Sequence, residues 1–286
     1  MKQQTRSRIA TGLEQAKLLR SAGRLREGWL TMQARGGPPA GPDGLPLPPP
    51  RLRLLVDGRS GDAERFCWVG DQGARLVRAA VADSGTTIDS LEAILDFGCG
   101  CGRVARHWAT LESTEVHGCD YNSDLVEWCD GNLPFLRATV NDLEPPLPYV
   151  GGSFDLVYAM SVLSHLSEPL QQAWIAEFHR ILRPGGLLLV SVLGDACADR
   201  LTEEQRRRFE RGELVVERTR MAGSNLCTAY HPRAYVRERL LADFANVRAL
   251  GAESAERALL QDGYVARRPV RGARLRPRRS ACEGRG

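Results

Sequence analysis

From Ala93 onward, short continuous apolar runs alternate with stretches whose apolar residues recur at helical spacing. The runs are "AILDFG" (93–98), "TEVHGCDY" (114–121), "RATVN" (137–141), "FDLVYAMSV" (154–162) and "GLLLVSVLG" (186–194). Helical spacing fits 102–111, 123–132 and 168–182. Runs apolar on both alternating faces predict strands buried on both sides, and helices between them predict a covered parallel sheet. A further helix is predicted over 231–244. Two more strands follow, "NVRALGA" (246–252) and "DGYVARR" (262–268), so close together that the sheet should end antiparallel. The pattern predicts an α/β fold: a Rossmann-like, doubly wound, seven-stranded and mostly parallel sheet with an antiparallel last strand and helices on both faces.

Upstream the pattern is weaker. Residues 5–34 show mixed helical periodicity through Ile9, Leu13, Leu18, Leu25 and Trp29, which predicts one or two amphipathic helices. "GGPPAGPDGLPLPPP" (36–50) reads as a stiff linker without helix or strand capacity. "RLRLLVDG" (51–58) alternates and predicts a short strand, 62–83 reads as a helix, and 84–90 as a loop. The expected division is an N-terminal extension with its linker (1–50), a sheet domain (51–268) and a tail (269–286).

Charge separates the ends from the body. Residues 1–35 carry eight Lys/Arg against two Glu, and 267–286 carry eight Arg against one Glu. The net charge of +4 therefore leaves −9 on the residues between. A tail so basic and so poor in apolar residues is expected to be disordered. It could touch an anionic partner, but an acidic body argues against a nucleic-acid substrate, because phosphate contacts should line the active face. The longest strongly apolar run, Leu187 to Leu193, is far short of a membrane span, and the start of the chain shows no secretory signal. Cytoplasmic residence is the expectation. The eight cysteines include no C-x-x-C pair and read as reduced, mostly buried thiols.

The candidate chemistry starts at "AILDFGCGCGR" (93–103), three glycines in five residues between a strand and a helical stretch. No lysine follows the glycines, so this is not a triphosphate loop. Arg103 stands where the third glycine of a dinucleotide fingerprint belongs. Asp96, two residues before the first glycine, would repel a pyrophosphate and favour an ammonium. Asp120, ending the second strand about twenty residues on, suits the two hydroxyls of a ribose. A ribose and an ammonium without a pyrophosphate describe S-adenosylmethionine.

With "VHGCDYN" (116–122), "NDLEPPLPYVGGSFDLVYAMSVLSHL" (141–166) and "HRILRPGGLLLVSV" (179–192) in the same order and spacing, the chain resembles the class I S-adenosylmethionine-dependent methyltransferases over roughly residues 90–268. The resemblance implies a methyltransferase using S-adenosylmethionine. It implies that Asp96, Gly98 and Gly100 border the methionine part of the cofactor and that Gly102 lets the backbone approach. It places Asp120 on the ribose, Tyr121 beside the adenine, Asp142 or its neighbour Asn141 on the adenine amino group, and Met160 and Ser161 near the methyl. No N-P-P-Y motif follows the fourth strand, which argues against base N-methylation, and no Asp/Asn cluster marks a metal site.

Transfer to a hydroxyl needs alignment and a proton acceptor. His165, just past the fourth strand, is the candidate base; the alternative is a helix-start histidine bonded to backbone. His231 in "TAYHPRAYV" is the weaker candidate, a lid residue or a helix cap, and Tyr230 is similar. The expected acceptor is a small molecule, methylated on a hydroxyl oxygen. Alternatives are nucleic-acid or protein methylation, or cofactor binding without catalysis. Exposed apolar residues in the N-terminal helices would suit docking over the pocket or a homo-oligomer contact.

Overall fold

The computed structural model describes residues 39–58, 60–250 and 261–270. The N-terminal helical stretch and nearly all of the basic tail, with the oligomer contact proposed for the former, lie outside the described residues.

The seven expected strands are β1 (Ala93–Phe97), β2 (Glu115–Asp120), β3 (Leu136–Val140), β4 (Phe154–Ala159), β5 (Leu182–Val192), β8 (Ala245–Ala249) and β9 (Asp262–Arg267). A two-stranded ribbon, β6 (Val215–Glu217) with β7 (Thr228–Tyr230), lies between β5 and β8 in the chain. The sheet order is β3-β2-β1-β4-β5-β9-β8. β1 to β5 pair in parallel, and β9 runs antiparallel to both neighbours. The order reverses between β1 and β4, and in doubly wound sheets ligands sit there, beyond the carboxyl ends of the strands.

Among the described residues the helices are α1 (Pro50–Asp57), α2 (Ala63–Ala82), α3 (Ser123–Asn132), α4 (Glu168–Ile181), α5 (Glu203–Glu210) and α6 (Arg233–Tyr235), the last continued by a π turn over Val236–Leu240. One face of the sheet packs Leu95 and Phe97 of β1 on Trp174, Phe178 and Ile181 of α4 and on Tyr235 and Leu240. The other packs Ile94 on Leu76, Val77 and Val81 of α2, with Trp108 and Leu133. β1 is buried along its whole length because it feeds both layers.

Three expectations are corrected. Residues 50–57 form α1, not a strand. Pro50 occupies the first helical position, where its missing N–H costs nothing, and left-handed Gly58 closes the turn with its N–H on Leu54 O. A run of eight leucines, arginines and neighbours is too short for alternation to separate strand from helix. Over 102–111 the only regular piece is a 3₁₀ turn at Ala105–Trp108. Gly102 is left-handed, and the segment is held by side chains instead: Trp108 Nε1–H donates to Tyr158 Oη at 2.8 Å, and Arg106 grips Asp43. That grip also corrects the linker. The backbone of Ala40 bridges Pro46, Leu47 is buried, and Arg106 Nη2 donates to Asp43 Oδ1 at 2.8 Å and Leu45 O at 3.0 Å. Residues 39–49 are therefore packed onto the domain.

Candidate active site

The glycine loop leaves β1 with Gly98, Gly100 and Gly102 all at positive φ, a conformation that side chains with a Cβ rarely take. None of them has room for one either, a Cβ on Gly100 meeting Val56 Cγ2 at 2.7 Å. A Cβ on Gly98 would lie 2.4 Å from Val162 Cγ2, and one on Gly102 2.3 Å from Leu133 Cδ1. The loop thus passes tightly between β4's exit and α3. Its amide at Gly100 donates to Asp120 Oδ2 at 3.0 Å, and Asn122 N–H donates to Oδ1 at 2.8 Å. Asp120 is 8% exposed. Burial raises its pKa, and the two amide bonds oppose that shift.

A cleft of about 390 Å³ opens at the switch point. Gly98, Gly100, Asp120, Tyr121, Asn141, Asp142, Met160, Ser161 and His165 all line it, so the structure gathers most of the sequence-predicted residues. Tyr121 is half exposed at the rim. Asn141 donates from Nδ2 to Asp142 O, while its Oδ1 is buried with no hydrogen-bond partner among the described residues. Asp142 is exposed.

Asp96, Gly102 and His231 do not line the cleft. Asp96 shares a strand face with Ile94 and points into the α2 layer, 3% exposed. Burial raises its pKa to about 7; the Tyr158 hydroxyl and the Ala105 amide pull the other way. Its expected contact with the methionine part is corrected: it buttresses the loop from below. Gly102 serves packing on α3. His231 is fully buried and accepts no role as a cleft base. Its Nε2 lies 3.0 Å from Gln171 Oε1, and burial lowers its pKa to about 3. Gln171 Nε2 in turn donates to Leu163 O (3.1 Å) and Leu166 O (2.9 Å), so both of its amide hydrogens are committed and its oxygen accepts from His231. His231 braces the turn that carries His165.

That turn, Leu163–His165, puts the imidazole at the cleft. Nδ1 sits 2.9 Å from Cys227 O. A carbonyl only accepts, so Nδ1 carries the hydrogen and Nε2 is the unprotonated nitrogen of the neutral ring. Desolvation lowers the His165 pKa, opposed by the Cys227 carbonyl, and keeps the ring neutral near pH 7. Gly223 N–H donates to His165 O at 2.8 Å, and Asn225 Nδ2 donates to Leu55 O at 2.9 Å. Residues 223–227 thus form a roof tied to both α1 and His165.

Residues 223–227 lie in the 195–230 insertion between β5 and β8, the region the sequence offers as a cover for the pocket; what sequence reasoning missed is the support of Ser161. Ser161 is left-handed at φ 63°. Its N–H donates to Ser191 Oγ (2.7 Å), Ser191 O–H to Gln261 Oε1 (2.6 Å), and Gln261 Nε2–H to Ser161 Oγ (2.6 Å). This closed ring stabilises a backbone conformation that costs on the order of 1–3 kcal/mol. Ser161's own hydroxyl hydrogen stays available. A second cavity, about 470 Å³, adjoins the cleft and shares Val56, Arg103, Met160, Ser161, His165 and Asn225 with it.

Residues 94–186 match a family model described as a methyltransferase domain. Over those residues the chain carries a methyltransferase domain. The methyl donor of that family is S-adenosylmethionine. Among similar proteins are an uncharacterised 37.1 kDa protein of a transposon of Streptomyces fradiae, 36% identical over 118 residues (39% of this chain, 32% of that protein), and a ubiquinone biosynthesis O-methyltransferase of Dinoroseobacter shibae, 36% identical over 110 residues (35% of this chain, 40% of that protein). The chain thus spans well under half the length of these relatives. Human N-acetylserotonin methyltransferase in complex with S-adenosylmethionine aligns with a TM-score of 0.47 at 16% identity, over 78% of this chain and 61% of that one. Among the described residues, no helix of this methyltransferase domain is long and apolar enough to cross a membrane.

Proposed function

We propose that this methyltransferase domain transfers a methyl group from S-adenosylmethionine to a hydroxyl oxygen of a small molecule. The residues of the cleft fit the cofactor. Among the described residues Asn141 Oδ1 is a buried acceptor with no hydrogen-bond partner, and an adenine amino group is a donor of matching chemistry. Asp120 would take the ribose hydroxyls on the lone pairs its two amide bonds leave open, and Tyr121 would cover the adenine at the rim. Gly98, Gly100, Met160 and Ser161 would border the methionine part.

When bound, S-adenosylmethionine supplies a methyl on a sulfonium, whose departure leaves no anion to stabilise. The chain's own task is to align the acceptor oxygen and take its proton. Alignment contributes roughly 7–11 kcal/mol in well-oriented systems. His165 would accept the hydroxyl proton at Nε2 as the oxygen–methyl bond forms and the sulfur–methyl pair returns to sulfur. The observation that carries this reading is the hydrogen bond from His165 Nδ1 to the Cys227 carbonyl, which sets the tautomer a base requires, on a residue lining both cavities. The small-molecule lean rests on the size of the second cavity, which α1, α2 and the roof wall on their sides.

Calorimetry with S-adenosylhomocysteine and with NAD tests the cofactor. The first should bind and the second should not; the reverse would overturn the reading. Incubation with methyl-labelled S-adenosylmethionine and paired hydroxyl and amine acceptors tests the chemistry. Label confined to amines would sink the oxygen assignment.

A further inference from the structure

The second cavity carries an unequal set of charges. Among the described residues, its lining includes Arg65, Arg103 and Arg200, with Asp57 as the single acid. Asp57 is already satisfied. Arg65 Nε donates to both of its oxygens (3.0 and 3.1 Å), and Ser60 N–H donates to Oδ2 at 3.1 Å.

Arg103 is different. Its side chain is 14% exposed, yet none of its five N–H donors has a hydrogen-bond acceptor among the described residues. Asp57 Oδ1, at 3.8 Å, is near enough to balance charge but too far to accept a hydrogen bond. Burial works against the Arg103 charge, and Asp57 restores part of it. The arrangement is not a loose end, because the root of the side chain is packed. Gly70 of α2 brings the helix so close that a Cβ there would lie 2.2 Å from Arg103 O. A largely buried, rigidly rooted guanidinium with unused donors is costly unless something enters to accept from it.

We propose that this chamber binds a small organic carboxylate, gripped bidentately by Arg103, with its methyl-accepting hydroxyl turned towards His165. The proposal rests on the methyl-transfer reading of the cleft. A single carboxylate matches one uncommitted guanidinium in planar, two-point geometry. Trp68, 48% exposed on the chamber wall, and buried Tyr230 offer apolar surface to the body of the acid. A volume of about 470 Å³ is in the range of small-ligand sites.

The test is calorimetry on the full chain, with and without saturating S-adenosylhomocysteine. The probes are 4-hydroxybenzoate and 4-hydroxycinnamate against their neutral amides. The acids should bind at least tenfold more tightly than the amides. Arg103→Gln should shrink that gap to about twofold while S-adenosylhomocysteine affinity stays within threefold, and Arg103→Lys should fall between. Arg65→Gln, on the same chamber, serves if Arg103→Gln does not fold, and should reduce acid binding about threefold or more. Amides binding as well as the acids, or no acid binding at millimolar concentration, overturns the proposal. So does a loss of more than tenfold in S-adenosylhomocysteine affinity in Arg103→Gln, which would assign the guanidinium to the donor's own carboxylate. Absence of S-adenosylhomocysteine binding in the wild-type chain, with the acid preference intact, would instead count against the methyl-transfer reading alone.

Discussion

At His165 a single hydrogen bond decides which ring nitrogen is available, and burial decides when. His165→Ala should lower kcat roughly 10²–10⁴-fold, the usual contribution of a general base, while leaving S-adenosylhomocysteine affinity unchanged by calorimetry. Because desolvation lowers the ring's pKa, the acid limb of kcat/KM should fall below the ordinary histidine value of about 6.5. A limb above pH 7 would assign the proton elsewhere. Asp120→Ala should weaken S-adenosylhomocysteine binding by about 1–3 kcal/mol, since two ribose hydroxyls lose a charged acceptor and Gly100 N–H loses its partner. Residues next to the glycine loop and the ends of β2, β3 and β4 were legible in the sequence, because a strand's carboxyl end places them at the switch point whatever else surrounds it. Asp96 was not. β1 is buried on both faces, so its sequence gives no sign of which face looks to the cleft, and Asp96 proved to look to the core. Gln261 was illegible for another reason: it meets Ser161 across a hundred residues, and no local pattern reports such a pairing.

At the scale of elements, the turn after β4 depends on groups that touch no ligand. Buried Gln171 holds two carbonyls of that turn, and His231 holds Gln171. His231→Asn should cost about 1–3 kcal/mol at pH 7, because Gln171 Oε1 loses its donor in a dry site. It should also change the pH dependence of stability. Burial lowers the His231 pKa to about 3, against about 6.5 in the unfolded chain. The native state therefore refuses a proton that the unfolded chain accepts, so stability is full above pH 6.5 and is lost as pH falls towards 3. Thermal melts between pH 7 and 4 should show a steeper decline for the wild-type chain than for His231→Asn; parallel curves would place the buried proton deficit on another group. The central strands β1, β4 and β5 are legible from their continuous apolar runs, since burial on both faces leaves no competing pattern. Residues 50–57 were misread because proline and glycine at the two ends, not the leucines between, determine the helix there.

At the scale of the whole molecule, the segment Pro39–Pro49 is tied to the sheet domain by an ion pair. Arg106 is 2% exposed on its side chain and is bound by Asp43, which is about a quarter exposed. Removing one partner of a buried pair strands the other, at about 3–5 kcal/mol when both are dry. Partial exposure of Asp43 lets water reach the site and reduces this to roughly 2–3 kcal/mol. Asp43→Ala should therefore lower Tm by roughly 5–10 °C in a chain of this size. Cofactor affinity should be unchanged, because Asp43 does not line the cleft. A chain starting at residue 51 should be less stable than one starting at residue 39 by at least the same amount, since it loses Asp43 together with the Leu45 carbonyl that Arg106 also uses. The pH dependence distinguishes the ion pair from mere packing. Burial raises the Asp43 pKa, but its bonds to Arg106 outweigh that and hold the carboxyl below its ordinary value. The pair's contribution is present above about pH 4 and disappears as pH falls through the lowered folded value. Melts of wild type and Asp43→Ala should thus converge below pH 4 and stay separated above pH 5. A gap that persists unchanged at pH 3 would mean that Leu47 and the bridged backbone, not the ion pair, hold this segment to the domain.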